Sequence, residues 1–338
     1  MADPEREPSL VREPFALAPS EPAARLAGAG GIALLGAVAL LVHLRYLPDL
    51  SIAIPALLLG AIAARLPGLS ALRASGQRTY GFWLQVGAVL LGPAIDPAAI
   101  PAMGLLGLAL VLSKIALAYL ASRILLRRVF SPMTARLLGI GNSVCGVNAI
   151  LLAKTRIGAT DTDAAAAVGA ILLVGTLAVF LAPVVALHWH PAPYIAGAVC
   201  GLGVDNTAEA IAAGSAFGPI GLEMATMFKL TRNALLGVVV SLSGREARSF
   251  REIVRDFPPF VAGYAVLAAL RLLGLIGPVP AAWAAMLSQA AFALAFVGVG
   301  AMLLDEISGG NLRDILLGSG YLILTLALSA GLVLLVGP

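Results

Sequence analysis

Uninterrupted apolar runs, each about as long as a bilayer is thick, follow one another along most of this chain. They are rich in leucine and alanine and do not alternate with polar residues, so they predict helices. A helix needs about 20 apolar residues to cross the hydrocarbon core. Hydrophobic residues make up 60% of the chain and charged residues 12%, against about 25% charged in soluble domains. We therefore expect an all-α polytopic protein of the bacterial inner membrane that binds lipid and not nucleic acid.

At about 17–25 residues per crossing, the apolar runs predict about eleven transmembrane helices. Residues 26–338 would form the transmembrane domain, with halves at 26–187 and 193–338. Residues 1–25 are polar and rich in proline, which predicts a flexible cytoplasmic tail. The predicted spans are 26–47, 50–66, 80–95, 99–124, 135–153, 164–187, 193–214, 219–242, 257–275, 281–304 and 314–336.

Lysine and arginine gather on cytoplasmic loops of membrane proteins, which gives the orientation. With the N-terminus inside and the C-terminus outside, the cytoplasmic segments hold fifteen of these residues, and the opposite side holds Arg45, Lys154 and Arg156. A short similarity links the third and tenth spans, where two leucines precede Asp96 and Asp305. Spans three and ten run in opposite directions, so the similarity favours an inverted repeat, as in many secondary transporters.

The fifth predicted span is interrupted by polar and small residues. Glycine costs a helix about 1 kcal/mol relative to alanine, and a polar amide in hydrocarbon needs a partner. The pattern predicts a broken helix whose backbone and side chains bind a substrate. Close packing of helices through small residues is the alternative. The candidate substrate contacts are Asn142, Ser143, Cys145, Gly146 and Asn148.

The seventh predicted span carries Asp205, Asn206 and Glu209 near its middle. An ionised acid at the bilayer centre costs about 2.5–3.5 kcal/mol on insertion scales, so such residues normally face a cavity or a cation. If the helix continues, Asp205 and Glu209 share one face because they are four residues apart. We expect these residues to carry a coupling proton or Na⁺. An interfacial loop is the alternative.

The eighth predicted span presents a polar stripe, since its polar residues follow steps of three and four. Lys229 and Arg232 are its cations, and two buried cations need anions nearby. Those anions would be Asp205 and Glu209, or a bound substrate. Lys114, in the middle of the fourth span, also needs a partner, and Asp96 is a candidate. The stripe consists of Glu223, Thr226, Lys229, Arg232 and Asn233.

Motifs for soluble cofactors and catalysis are absent from the sequence. It contains no P-loop, no dinucleotide-binding glycine fingerprint and no zinc-ligand spacing, so we expect no cofactor and no metal. Cys145 has no nearby intramembrane histidine to act as its base, which argues against an enzyme. Cys145 and Cys200 both lie in apolar spans, where buried free thiols are expected.

These polar segments resemble those of the YeiH-type family of conserved hypothetical membrane proteins, for which sulfate export has been proposed. Residues 141–150 are similar to the family motif Gly-Thr-Ser-Ile-Cys-Gly-Ala-Ser-Ala-Ile. Residues 168–183 and 229–232 also resemble the family. The chain departs from it at Asn142 and Asn148, which stand in place of Thr and Ser. It also departs at 205–209, where the family has His-Asp followed by Val-Ala-Gln.

The resemblance extends to a larger group that includes sodium–proton antiporters and bile-acid–sodium symporters. It implies inverted repeats, a scaffold domain, and a mobile core whose broken helices cross in mid-membrane. It also implies a homodimer. Sulfate or a sulfonate is the favoured substrate on this ground alone.

Residues and resemblance together predict a secondary-active transporter of a small anion that works by alternating access. The polar groups of the fifth span would contact the substrate, Lys229 and Arg232 would balance its charge, and Asp205 and Glu209 would carry the coupling ion. Two alternatives remain open. The first is a cation–proton antiporter that uses Asp205 and Glu209, and the second is a passive anion channel.

Overall fold

The computed structural model describes residues 22–46, 52–66, 70–95, 104–243, 249–255, 257–307 and 311–336. Secondary structure in these ranges is helical, without strands, as the apolar runs predict. The helices are α1 (Pro22–Tyr46), α2 (Ala53–Ala63), α3 (Ser70–Leu91), α4 (Leu105–Leu125), α5 (Pro132–Ser143), α6 (Val147–Ile157), α7 (Asp161–Trp189), α8 (Pro193–Gly203), α9 (Thr207–Ser215), α10 (Gly218–Ala234), α11 (Leu236–Ser243), α12 (Phe250–Arg255), α13 (Pro259–Leu272), α14 (Pro278–Ile307) and α15 (Leu312–Val336).

Each predicted span coincides with one of these helices or with a consecutive pair. Five helices are long and apolar enough to cross a membrane, or six if α10 and α11, bent by 44°, form one span. Helix α1 begins at Pro22 and so takes in the end of the predicted tail, whose first 21 residues lie outside the described ranges. The total of eleven crossings is not reproduced by this criterion. Helices α2 and α13 are apolar but short, and two of the pairs do not cross.

Helices α5 and α6 fold back on each other as hairpin 1. The hydroxyls of Ser131 and Thr134, where α5 begins, donate to Asp163 Oδ1 over 2.6 and 2.7 Å. Asp163 lies in the first turn of α7, where it forms a capping box with Thr160. Because α6 ends at Ile157, just before α7 begins, both ends of hairpin 1 lie at the same end of α7.

Helices α8 and α9 form hairpin 2, which starts and ends beside Gly221 of α10. A Cβ built on Gly221 would lie 2.6 Å from the carbonyl oxygen of Gly214 and 3.5 Å from that of Pro193. The turn between α8 and α9 instead lies next to Lys229, whose Nζ is 3.0 Å from the carbonyl oxygen of Val204. Residue 229 is about 12 Å along the helix from residue 221, so the pair is a hairpin and not a crossing.

The fifth and seventh predicted spans are therefore wrong as crossings, although both are broken as predicted. Composition could not distinguish a broken crossing from a hairpin, because both bury the same apolar residues. Helix α7 has 29 residues and is about 43 Å long, and the two hairpins begin at its opposite ends. Lys154 and Arg156, at the end of α6, consequently lie on the side of Arg128 and not opposite it.

Five further helices, α1, α2, α3, α13 and α14, pack mainly on one another and form a second layer. Helices α3 and α14 are antiparallel, since Ser288 Oγ donates to Gly87 O over 2.7 Å while Gly76 lies against Gly298. This pair contains the two segments of the expected repeat. Asp96 and the side chain of Asp305 lie outside the described residues, so the repeat stays a prediction, as does the division into two halves.

Candidate functional site

The turns of the two hairpins touch each other beside α7, about a third of the way along that helix from its start. Gly146, in the turn of hairpin 1, has a φ of 70°, and a Cβ there would lie 3.0 Å from the carbonyl oxygen of Asp205 in the turn of hairpin 2. Ile171 lies 3.1 Å from the same position, about 15 Å along α7 from its start. A glycine is therefore required both by the backbone conformation and by the approach of the second hairpin.

Helices α5 and α8 both end at this contact, which leaves carbonyl groups without helical partners. Lys229 Nζ donates to the carbonyl oxygens of Val144 and Val204, each over 3.0 Å, and to that of Asp205. Lys229 is fully buried. Three acceptors match the three N–H groups of an ammonium, so the lysine ties the two hairpin turns together as a cation.

Arg232, also fully buried, binds the same two helix ends one turn further along α10. Its Nη2 donates to Asn142 O over 2.6 Å and to Asp205 Oδ1 over 3.1 Å. Its Nη1 donates to Leu202 O over 2.6 Å. The rigid fork of the guanidinium suits several acceptors at once, and the ion pair with Asp205 is the one that the sequence led us to consider.

Lys229, Arg232 and Asp205, with the carbonyl groups that they bind, form a polar cluster at the hairpin turns. Asn142 connects a third cation to this cluster. Lys114 Nζ, from α4, donates to Asn142 Oδ1 over 2.6 Å, and Asn142 Nδ2 donates to Thr325 Oγ1 of α15 over 2.9 Å. Asp96, the partner expected for Lys114, lies outside the described residues. Asn142 therefore links Lys114, hairpin 1 and α15.

The acids of hairpin 2 lie in different surroundings. Asp205 is in the turn, where it pairs with Arg232, whereas Glu209 is in the first turn of α9. Glu209 accepts a hydrogen bond of 3.2 Å from Thr176 Oγ1, and its carboxylate occupies the space that a side chain at Gly175 would need. The shared helical face expected for these acids is not formed, because the helix stops at Gly203 and restarts at Thr207.

The other predicted contacts divide between the interior and the surface. Ser143 is buried and donates to Gly139 O over 2.7 Å, and Cys145 is a buried free thiol. Asn148 is exposed on the first turn of α6, and Asn206 is half-buried at the start of α9. The structure thus gathers most of the predicted residues at one point and leaves Asn148 and Asn206 the more accessible.

Some residues of the cluster carry little signal in the sequence. Thr325 lies in an apolar run and Gly175 in another, and neither residue type is unusual in a membrane helix. Lys114 stands out by its charge, but the sequence suggested Asp96, and not Asn142, as its partner. The polar stripe of α10 is buried as a whole, from Glu223 to Asn233.

Comparison with known proteins agrees with the resemblance read from the motifs. The family model described as Conserved hypothetical protein 698 matches residues 29–317. The chain belongs to this family. The match covers both hairpins and the buried Lys114, Lys229 and Arg232, whereas Thr325 lies beyond it.

Curated relatives are named as membrane proteins, without a substrate. A UPF0324 membrane protein of Nitratidesulfovibrio vulgaris is 27% identical over 83% of this chain and 82% of its own. One of Agrobacterium fabrum is 28% identical over 86% and 85%, and one of Bordetella bronchiseptica is 31% identical over 57% and 64%. No solved structure matches the chain.

Proposed function

We propose that this protein is a secondary-active transporter of a small anion that works by alternating access. One observation carries the proposal: within the described residues, Lys114, Lys229 and Arg232 join one hydrogen-bonded network to which Asp205 contributes the carboxylate. Burying charge is costly, and a bound anion would offset part of that cost where three cations meet one carboxylate. Two further acids, Glu209 and Glu223, are also buried. Sulfate or a sulfonate is the first candidate, on the grounds of the family resemblance.

The helix ends at the hairpin turns support an anion rather than a cation. Lys229 and Arg232 bind the carbonyl ends of α5 and α8, whereas α6 and α9 begin there and present N–H groups. Such N-terminal ends carry partial positive charge and favour anions. Asn148 and Asn206 stand on these first turns, so we assign them to direct contact with the substrate. Asn142 and Ser143, whose polar groups are used internally, would position the turn.

Two hairpins that begin at opposite ends of α7 suit alternating access, because each can separate the contact point from one side. The same arrangement is expected from an inverted repeat. Replacing two crossings by two hairpins keeps the number of crossings odd, so the N-terminus remains inside and the C-terminus outside in our proposal. Moving Lys154 and Arg156 to the cytoplasmic side leaves Arg45 as the remaining exception among the basic residues counted in the loops.

A cation has one specific observation in its favour. Asn233 Oδ1 is buried and accepts no hydrogen bond within the described residues, while its Nδ2 donates to Thr207 Oγ1 over 3.1 Å. Thr207 begins α9, two residues before Glu209. Asp205, Asn206 and Glu209 were the predicted ion-coupling residues. Because Asp205 is bound by Arg232, we assign the coupling Na⁺ or proton to Glu209. Cation–proton antiport without an anion is the second candidate function.

Ligand-dependent thermal stability of the purified protein separates these candidates. The panel would contain sulfate, sulfonates, carboxylates, bicarbonate, Na⁺ and Li⁺ at fixed ionic strength. A ligand at 100 times its Kd adds about 2.7 kcal/mol of stability. We expect an anion to stabilise the wild type and Lys154→Gln, a control at the end of α6 whose side chain is 25% exposed, but not Lys229→Met. Stabilisation by cations alone, lost in Glu209→Gln, would replace our proposal with the antiporter.

Transport in proteoliposomes then distinguishes a carrier from a channel. A carrier exchanges internal unlabelled anion for external labelled anion, so labelled sulfate should accumulate transiently against its gradient. A channel only lets the label equilibrate. Failure to see counterflow with an anion that stabilises the protein would therefore favour the passive channel.

A further inference from the structure

The chain contains three lysines, and two of them, Lys114 and Lys229, are fully buried in different surroundings. Lys229 donates to three carbonyl groups. Among the described residues, the acceptor for Lys114 Nζ is Asn142 Oδ1 alone, over 2.6 Å. An ammonium has three N–H groups to satisfy. All three are bound at Lys229, whereas a charged Lys114 has two for which the described residues offer no acceptor.

The charges that face Lys114 also disfavour a permanent positive charge there. Arg232 and Lys229 of α10 repel it, and Asp205 of hairpin 2 attracts it. Asp205 is already paired with Arg232 over 3.1 Å. Like charges nearby favour the neutral form of an amine, and a buried lysine gives up its proton more readily than an arginine does. Lys114 is therefore the cation of the cluster best placed to exchange a proton.

Two hydroxyl groups lie between Lys114 and the end of α4. Tyr321, which is buried on α15, donates its hydroxyl to Ala118 O over 2.6 Å, one helical turn beyond Lys114. The same hydroxyl lies close to the side chains of Asn142 and Ser122. A hydroxyl both donates and accepts hydrogen bonds, so it can pass a proton between neighbours. Tyr321 and Ser122 thus extend from the surroundings of Lys114 toward the end of the helix.

Water can reach the Ser122 end of this route. A cavity of about 350 Å³ lies between the end of α4 and the start of α5, with Ser122 on its wall. Arg127 and Pro132, also on the wall, are exposed, so the cavity meets the surface on the side where hairpin 1 begins. A space of about 10 Å³ that Ser122, Tyr119 and Ile140 help to line adjoins it, and one water needs about this volume.

We propose that Lys114 is a proton-binding site, at which the neutral amine takes up a proton from the water of this cavity and the ammonium returns it there. On uptake the lone pair of Nζ forms the new N–H bond, and on release that bond breaks and water receives the proton. Its part in transport rests on the proposed function: a bound anion favours the charged form, so the proton and the anion would move together. This proton is additional to the coupling ion assigned to Glu209.

Nitrogen NMR of the full-length protein in proteoliposomes tests the site directly. With isotope-labelled nitrogen in the lysine side chains alone, the protein gives three lysine signals, and the amine and ammonium forms resonate at different frequencies. Lys154→Gln and Lys114→Met each remove one signal and so assign all three. If Lys114→Met does not fold, Lys114→Arg gives the same assignment and keeps the charge. The signals are followed from about pH 5 to about pH 9, a range in which a lysine in water stays charged.

We expect the Lys114 signal to change from the amine to the ammonium position as the pH falls through this range. The signals of Lys154 and Lys229 should keep the ammonium position throughout. A Lys114 signal that holds one form at every pH would overturn the proposal. The titration needs no substrate, so it decides the proton site separately from the proposed function. If Lys114 titrates but sulfate, sulfonates and bicarbonate leave its titration unchanged, the proton site is upheld and the result counts against anion transport.

Two tyrosines test the route to the cavity. Tyr321→Phe removes the hydroxyl near Asn142 and Ser122, whereas the control Tyr119→Phe removes one that is bound by Arg123. Exchange of the Lys114 proton with water is measured by magnetisation transfer. We expect Tyr321→Phe to slow it about a hundredfold and Tyr119→Phe to change it by less than about twofold, since a positioned proton relay contributes about 10²–10⁴-fold. Equal exchange rates in the wild type and Tyr321→Phe would overturn the route.

Discussion

The turns of the two hairpins meet at one point, but different contacts hold each hairpin in place. Hairpin 1 is fastened at its base by side chains, through Asp163, and its turn depends on a glycine with positive φ. Hairpin 2 is fastened along its length by close backbone contact, with Gly197 and Gly214 of the hairpin and Gly221 of α10 at the points of approach. Its turn, at residues 204–206, has no positive φ.

This difference shows what α10 does in the molecule. Helix α10 packs on hairpin 2 through glycines, and with Lys229 and Arg232 it reaches across to carbonyl groups of hairpin 1. Hairpin 2 and α10 therefore behave as one unit, while hairpin 1 is joined to that unit mainly by two cations. We expect perturbations at the cations to loosen hairpin 1 more than hairpin 2.

The largest expected effect concerns the side of the membrane on which each hairpin begins. Single cysteines would be introduced by Thr155→Cys, Arg128→Cys and Trp189→Cys, all at exposed positions, and labelled with an impermeant maleimide in intact cells and in inverted vesicles. Thr155→Cys should label with Arg128→Cys, and Trp189→Cys should label from the other side. Native Cys145 and Cys200 are buried and should stay unlabelled.

Labelling of Thr155→Cys together with Trp189→Cys would contradict the hairpin, because a crossing places the end of α6 at the far side. Helices α5 and α6 would then form one broken crossing and not a hairpin. Topology is tested without activity, so the result does not depend on finding a substrate.

The next largest effect is expected from Arg232→Leu. It leaves Asp205 buried without its cation and removes donors from carbonyl groups of both hairpins, and breaking a buried ion pair costs about 3–5 kcal/mol. Denaturant unfolding would measure the loss, and hydrogen exchange would locate it. Protection should fall more in residues 132–157 than in residues 193–215. Equal loss in both hairpins would show that α10 is not a unit with hairpin 2.

Much of this cluster could be predicted from sequence, because buried charge is rare enough to be noticed. Lys229, Arg232 and Asp205 stood out against apolar runs, and the glycines at 139–146 predicted the break that ends α5. The partners that these charged residues bind were only partly predicted. The sequence left open whether Arg232 pairs with the acids of the seventh span or with a substrate. The carbonyl groups that bind Lys229 could not be predicted, because every residue type has a backbone carbonyl.

The hairpins could not be predicted from the same patterns for a physical reason. A run of twenty apolar residues with a break satisfies the bilayer equally as one bent crossing or as two half-length helices that return. The deciding contacts are Ser131 with Asp163 and Gly221 with Gly214, and both join segments through tertiary packing. The orientation rule also misplaced Lys154, since it assumes that each span crosses.

A smaller effect is expected at the turn of hairpin 1. Gly146→Ala places a side chain at a φ of 70° and 3.0 Å from Asp205 O, which should cost about 1–3 kcal/mol. Gly158→Ala is the control, because its φ is 68° and nothing lies within 4 Å of the added Cβ. The difference between the two variants in unfolding free energy measures the contact between the turns. Equal costs would mean that the turns do not press on each other.

The smallest effect is expected at the base of hairpin 1. Asp163→Asn removes the carboxylate that accepts from Ser131, Thr134 and Thr160, and loss of a helix cap costs about 0.5–2 kcal/mol. Asp161, in the same first turn, is 69% exposed and pairs with Lys154, so Asp161→Asn should cost less than about 0.5 kcal/mol. If fastening at the base is specific to hairpin 1, Asp163→Asn should raise hydrogen exchange in residues 132–136 and leave residues 193–197 unchanged. Unchanged exchange at both bases would mean that apolar packing, and not the carboxylate, holds hairpin 1 against α7.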